Sequence, residues 1–252
     1  MSTKKHFVFQ SMLLKRTDFY VIIKLQRTGT AENRNPVRII QERKYSMYLA
    51  QNENNSIQQW KLPKRVLRET VNSTGEISIE TFHQEQGILC LTSEITYETA
   101  NQLMMNLLYT AKKALPLKLM INSGGGSVEA GLIIRDMLQS YPYPVEMYCT
   151  GIAASMAAII FSSGQKGRRF ILPHARVMIH EPHIAGGFNS SASNLEKAAR
   201  SIMEVRNTLN MILAENTGQP LEVISEAVTF DCYMKAEQAI EFGLCDEIKN
   251  IF

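Results

Sequence analysis

Four features of this 252-residue chain could act together in chemistry. The first is Ser155, in the run GIAASMAA at residues 151–158. Its neighbours are small, so a substrate backbone could approach the hydroxyl. The run is not the GxSxG elbow, and it also suits a tightly packed helix with an incidental serine. The second is His180, at the end of an apolar stretch, where it could be a general base or a structural imidazole, with His174 and His183 as rivals. His183 follows at a spacing of three, but no third ligand stands at a sensible distance, so no metal is expected. The third is Asp231, between two expected elements, which could orient an imidazole or cap a turn. Its competitor Asp136 falls within an expected helix, on a solvated face. The fourth is Gly124-Gly125-Gly126, whose bare N–H groups precede a helix. That arrangement suits a phosphate or a developing oxyanion, and equally a tight strand-to-helix turn. It is neither a Walker A loop nor a GxGxxG fingerprint. Each feature is ordinary alone. Together they supply a nucleophile, a base, an orienting carboxylate and an oxyanion site, a complete acyl-transfer set.

The elements that would position them follow from periodicity and punctuation. Strands are expected at 87–91, 117–121, 145–149, 170–172, 176–179 and 244–248. Helices are expected from the Thr96 cap through 111, at 128–138, after Gly151, from about 194 to 216, from Pro220 to about 228, and at 236–242. Ser193 and Glu196 have capping-box spacing for the long helix, and Gly218 would stop it. Its apolar stripe looks wider than one chain covers, with Met203, Met211 and Ile212 in excess. The alternation of strand, glycine loop and helix argues for an α/β fold with crossover connections.

Composition bounds the rest. The apolar fraction of 45% and the charged fraction of 20% are ordinary for a globular protein. Cys90, Cys149, Cys232 and Cys245 form no CxxC pair and read as reduced thiols. There is no signal-peptide core, and the apolar patch at 19–25 is short and contains Lys24. The stretch 145–161 belongs inside a core. A cytoplasmic location is expected. Residues 1–70 carry an excess of nine positive charges, against a net negative remainder. A basic head can contact nucleic acid or membrane. Here it is read as a solvated, poorly ordered extension or leader over 1–75, with loops at 31–36 and 52–56, ahead of a folded body at 76–252.

From about Ile79 to Ile248 the chain resembles the proteolytic subunit of the ATP-dependent Clp protease. The resemblance is carried by collinear blocks: INSGGGSVEAGL at 121–132, GIAASMAA at 151–158, RRFILPHARVMIHEP at 168–182, NTGQPLEVI at 216–224 and AEQAIEFGLCDEI at 236–248. It implies a crotonase-like α/β spiral of ββα units, with a protruding handle made by Gly186-Gly187 and the long helix after Ser193. It implies Ser155 as nucleophile, His180 as base, Asp231 as the triad carboxylate, and the N–H groups of Gly126 and Met156 as the oxyanion hole. It implies a serine endopeptidase that cleaves unfolded polypeptide inside a homo-oligomer of two heptameric rings, a tetradecamer. An AAA+ unfoldase partner is expected, with no cofactor, metal, nucleic acid or membrane span. The chain departs from the family's usual residues at Gly124 (proline), Lys118 and Met120 (aromatic, in the unfoldase pocket), Phe230 (arginine, in a ring contact) and Glu181 (glutamine). Two other readings remain: a non-catalytic subunit of a mixed ring, and a crotonase-type acyl-CoA enzyme, which would not need all three triad residues.

Overall fold

The computed structural model describes residues 65–70, 73–183 and 191–251. Most of the basic extension, the loops expected at 31–36 and 52–56, and the Gly186-Gly187 segment lie outside these residues. The chain forms two units, 1–82 and 83–252. In the first, β1 (Arg65–Thr70) and β2 (Ser73–Ser78) pair antiparallel, with Arg65 opposite Ser78. Helix α1 (Ile79–Gln84) follows. The sequence showed no period before residue 75, so this hairpin was not anticipated.

The second unit is built on a seven-stranded, mostly parallel sheet. Strand β3 (Ile88–Leu91) leads through α2 (Tyr97–Lys112) to β4 (Leu117–Ser123), and α3 (Val128–Gln139) leads on to β5 (Val145–Ala154). Helix α4 (Met156–Ser162), β6 (Arg169–Ile171) and β7 (Arg176–Ile179) follow. The chain continues with α5 (Ala192–Thr217), α6 (Leu221–Ala227), β8 (Cys232–Lys235), α7 (Ala236–Phe242) and β9 (Glu247–Ile248). The sheet order is β3-β4-β5-β6-β9. Strand β5 pairs with β6 over Met147–Cys149 and then with β7 over Ile152–Ala154, while β7 pairs antiparallel with β8.

Local chemistry accounts for the element ends. Thr96 and Thr99 exchange side-chain-to-backbone bonds at the start of α2, a capping box in which a second threonine replaces the usual glutamate. Gly218 ends α5 at φ +80. The stretch 145–161 is rich in apolar residues despite Glu146, because α4 is buried on every side and β5 lies inside a mostly parallel sheet. Leu117, Leu119 and Ile121 point from one face of β4 into this core. Among the described residues, no helix is long and apolar enough to cross a membrane.

Four expectations need correction. Residues 151–154 extend β5 instead of starting a helix, because β7 and the Asn122 side chain, which accepts from Ile152 N–H at 3.1 Å, continue the pairing. Ser191, not Ser193, caps α5: its extended backbone lets its hydroxyl accept from Asn194 N–H, while Glu196 bonds Arg200 one turn on. The last strand is only Glu247–Ile248, since Leu244 and Cys245 are drawn into the core and Asp246 is held by Arg169. On α5, Met203 and Met211 are exposed, but Ile212 packs against the core.

Arg169 is almost completely buried and ties four segments together. It bonds the carboxylate of Asp246, the carbonyl of Ser162 at the end of α4, and the carbonyl of Asn216 near the end of α5. Burial pushes the Asp246 carboxyl up. The Arg169 side chain, its N–H, its charge and the N–H of Gly167 together outweigh that and hold the carboxyl below its ordinary 3.8. Such a pair stabilises fully above the unfolded value and less as pH falls through the folded one. Asp246→Asn leaves the guanidinium buried without its anion and should cost about 3 kcal/mol at neutral pH. Urea unfolding across pH would check this. The wild type should lose its advantage over the variant as pH drops below about 4.

Candidate active site

Two registers bring three distant side chains together. Ala154 pairs with Met178 in the parallel β5–β7 ladder, and the next residue, Ser155, donates its N–H to Met178 O at 2.9 Å. In the antiparallel β7–β8 ladder, Ile179 faces Cys232, so the next pair outward is His180 and Asp231. Ser155 Oγ lies 2.9 Å from His180 Nε2, and His180 Nδ1 lies 3.0 Å from Asp231 Oδ1. The His180 side chain is 16% exposed and that of Asp231 is 59% exposed. The rival histidines are placed differently. His174 stands exposed on the turn between β6 and β7, and His183 stacks edge-on against His180 with ring centres 5.1 Å apart. Asp136 lies exposed on α3, beside Arg135.

Ser155 occupies the junction of β5 and α4 with φ +54 and ψ −125, a conformation a residue with a side chain avoids. The bond to Met178 O holds it from one side. The glycine loop presses from the other. A Cβ on Gly125 (φ +95) would stand 2.7 Å from both Ala154 O and Ser155 Cβ, so only glycine lets the loop lie this close. Ile95 fixes the loop: its N–H donates to Gly125 O and its carbonyl accepts from Ser127 N–H, both at 2.8 Å. A Cβ on Gly126 (φ +150) would meet the Ile95 backbone. Ser123 adds a bond from its hydroxyl to Ser93 O at 2.5 Å and accepts from Gly125 N–H. Met156 is the first residue of α4, where an N–H has no carbonyl four residues back within the helix. The carboxylate, imidazole and hydroxyl are thus joined in sequence, with a glycine backbone packed beside the hydroxyl. This arrangement can abstract a hydroxyl proton and deliver the oxygen to a carbonyl.

No thiol competes for that role. Burial pushes Cys149 and Cys245 up to about 12 and raises Cys90 and Cys232, so each stays protonated at neutral pH. Beside the imidazole is a pocket of about 350 Å³, lined by Glu181, Pro182, His183, Val228 and Phe230 among others. Phe230 stands 82% exposed at its edge. The sequence reading missed this pocket, because its walls come from two segments nearly fifty residues apart. It also missed the Glu181–Arg206 ion pair, at 2.8 Å between the β7 end and α5. The only hint was the acidic residue directly after His180.

The close approach of Gly125 yields a specific expectation. Gly125→Ala should destabilise the chain by about 1–3 kcal/mol and displace Ser155, lowering reaction with a serine-directed fluorophosphonate by about a hundredfold. Gly124→Ala, whose Cβ would meet nothing within 4 Å, should lose far less. Labelling rates beside thermal melts would separate the two effects.

The comparison with known families agrees with this geometry in extent. The family model described as Clp protease matches residues 73–251, from β2 through β9. The match covers well over half of the chain and both ladders that hold the site, and the chain therefore belongs to the Clp protease family, as a protein like its proteolytic subunit.

Proposed function

We propose that the chain is a serine endopeptidase that hydrolyses unfolded polypeptide by acyl transfer. The observation that carries this reading is the continuous hydrogen-bonded series from Ser155 through His180 to Asp231. Ser155 Oγ attacks the scissile carbonyl while His180 Nε2 takes its proton. Asp231 holds the imidazole with Nδ1 protonated and stabilises the cation that forms. The oxyanion lies against the N–H groups of Gly126 and Met156, each worth about 3–4 kcal/mol in comparable sites. His180 then returns the proton to the leaving amine, and water repeats the sequence to release the acyl group. Every step uses groups of this chain, with no metal or organic cofactor.

In the same reading, the α/β body from residue 76 is the crotonase-type spiral of ββα units, and residues 1–75 are a basic extension ahead of it. The N-terminal part of α5, with no buried residue before Leu209, is the handle through which copies assemble into a cytoplasmic double ring. An AAA+ unfoldase feeds the chamber. Lys118 lies exposed on β4 and Phe230 stands open to solvent, which gives the docking and ring contacts of this chain a character of their own.

Replacing the nucleophile tests the chemistry. Ser155→Ala should lower hydrolysis of a short fluorogenic peptide by roughly 10⁴-fold or more and abolish fluorophosphonate labelling, while oligomer size and melting temperature stay near wild type. Asp231→Asn should slow both fluorophosphonate labelling and peptide turnover, each by about 10³–10⁴-fold, because both need His180 to take the Ser155 proton. Unchanged turnover in Ser155→Ala would exclude the mechanism.

A further inference from the structure

Glu181 follows His180 directly but takes no part in the acyl transfer. Its carboxylate Oε2 lies 2.8 Å from Nε of Arg206 on α5. That nitrogen is shut off from solvent, and the contact is an ion pair whose angle falls short of an aligned hydrogen bond. The Glu181 backbone N–H donates to Val228 O at 2.8 Å, three residues before Asp231. One residue therefore fastens the end of β7, the flank of α5 and the α6–β8 connection. The position of Arg206 on its helix is equally telling. The first buried residue of α5 is Leu209, and its other side-chain bonds to the body, from Asn210 to Ser225 and from Asn216 to Ser162 and Ser163, lie further on. Among the described residues, Arg206 makes the polar side-chain link to the body nearest the outer end of the helix, next to Val205, which packs against the core.

We infer that the Glu181–Arg206 ion pair is a positioning clamp that holds His180 and Asp231 in register with Ser155 and ties the placement of α5 to the rate. The inference rests on the serine-hydrolase reading above. A half-exposed ion pair contributes little to stability, but a site of this type is sensitive to displacements of about 1 Å. The pair also has an electrostatic signature. The imidazole is faced by Ser155 from the β5–α4 junction, Asp231 from just before β8 and the His183 ring, and Glu181, the next residue in the chain, is paired with Arg206 of α5. While Glu181 and Arg206 are paired, their charges largely cancel at His180. Removing either one leaves the other's charge uncompensated, and the two removals act on the imidazolium with opposite sign.

The test uses the purified full-length chain and a short fluorogenic peptide, with kcat and KM measured across pH for wild type, Glu181→Gln, Arg206→Gln and the charge swap Glu181→Arg with Arg206→Glu. Each single variant should lower kcat about tenfold, with KM within about twofold and melting temperature close to wild type. The acid limb of the kcat/KM profile should move to higher pH in Arg206→Gln and to lower pH in Glu181→Gln, by about half a unit each. The swap should recover most of the lost kcat. Single variants with wild-type kcat, limbs that move the same way, or a swap no better than the product of the singles would overturn the clamp. Glu181→Gln is nearly isosteric, so folding is preserved in at least one arm, and melts report it in the others. A wild-type chain that hydrolyses no peptide overturns the hydrolase reading, not the clamp. In that case the ¹³Cε1 resonance of His180, assigned with His180→Gln, reads the same opposite displacements of its titration midpoint, and a midpoint that stays put in both variants sinks the clamp.

Discussion

Strand β7 pairs with β5 along one edge and β8 along the other, and this double pairing sets the distances among three side chains separated by 25 and 51 residues in the chain. A slip of one residue between β5 and β7 would part His180 from Ser155, and one between β7 and β8 would part it from Asp231. The core exists largely to prevent that slip. Val177 and Ile179 are fully buried on β7, Ala153 on β5 and Met234 on β8, so each register is fixed by what its side chains displace from water. The chemistry stands at the ends of these strands because only there does an ordered ladder release its next residue toward a substrate.

The same construction explains how a strained serine persists. A positive φ on a residue with a side chain costs of order 1–3 kcal/mol, and Ser155 has one. The cost is met locally by the bond from its N–H to Met178 and by Gly125 lying against its Cβ, and more widely by α4, whose seven residues are all buried. The three consecutive glycines differ in consequence. A side chain at Gly125 would strike the serine and one at Gly126 would strike Ile95, whereas Gly124 faces open space. A side chain at position 124 would meet nothing within 4 Å, so the identity of that residue bears little on the geometry of the nucleophile.

How much of this was legible in the sequence depends on how local the signal is. Helices α2, α3 and α7 were readable to within a residue or two, since their caps and apolar spacing lie inside short windows. Ser155, His180 and Asp231 were nameable from the order of several motif blocks, while each residue in isolation had an equally good structural role. What stayed hidden needed a partner distant in sequence. The small residues 151–154 looked like a helix start, because nothing nearby reveals that Asn122, thirty residues earlier, accepts a bond from Ile152 and keeps them in the sheet. Arg169 is the second residue of a basic pair, and it is buried because Asp246 arrives 77 residues later to neutralise it, a partner no short window reveals. Strand β8 is four residues long with no apolar alternation strong enough to be noticed, and only β7 makes it a strand.

Helix α5 carries the remaining tension in the design. Its C-terminal half is secured by Leu209, Leu213 and Thr217 in the core, and by the Arg169 guanidinium, which holds the carbonyl of Asn216. Its N-terminal half has no fully buried residue among those described, and Leu195 and Met203 face solvent there, as Met211 does beyond Leu209. A 26-residue helix gains most of its stability from packing an apolar face, so an outer half with no fully buried residue among those described is only weakly held until another surface covers it. Members of the Clp protease family assemble as oligomers, and a second copy is the natural cover for such a face. Any force that a neighbouring copy exerts on the outer half reaches the body first where the helix meets it. Among the described residues, the outermost polar side-chain contact there joins the helix to the residue adjoining His180. In the proposed reading, assembly and site geometry are mechanically continuous, through a helix anchored at its C-terminal end in the core and paired at Arg206 with the residue next to His180.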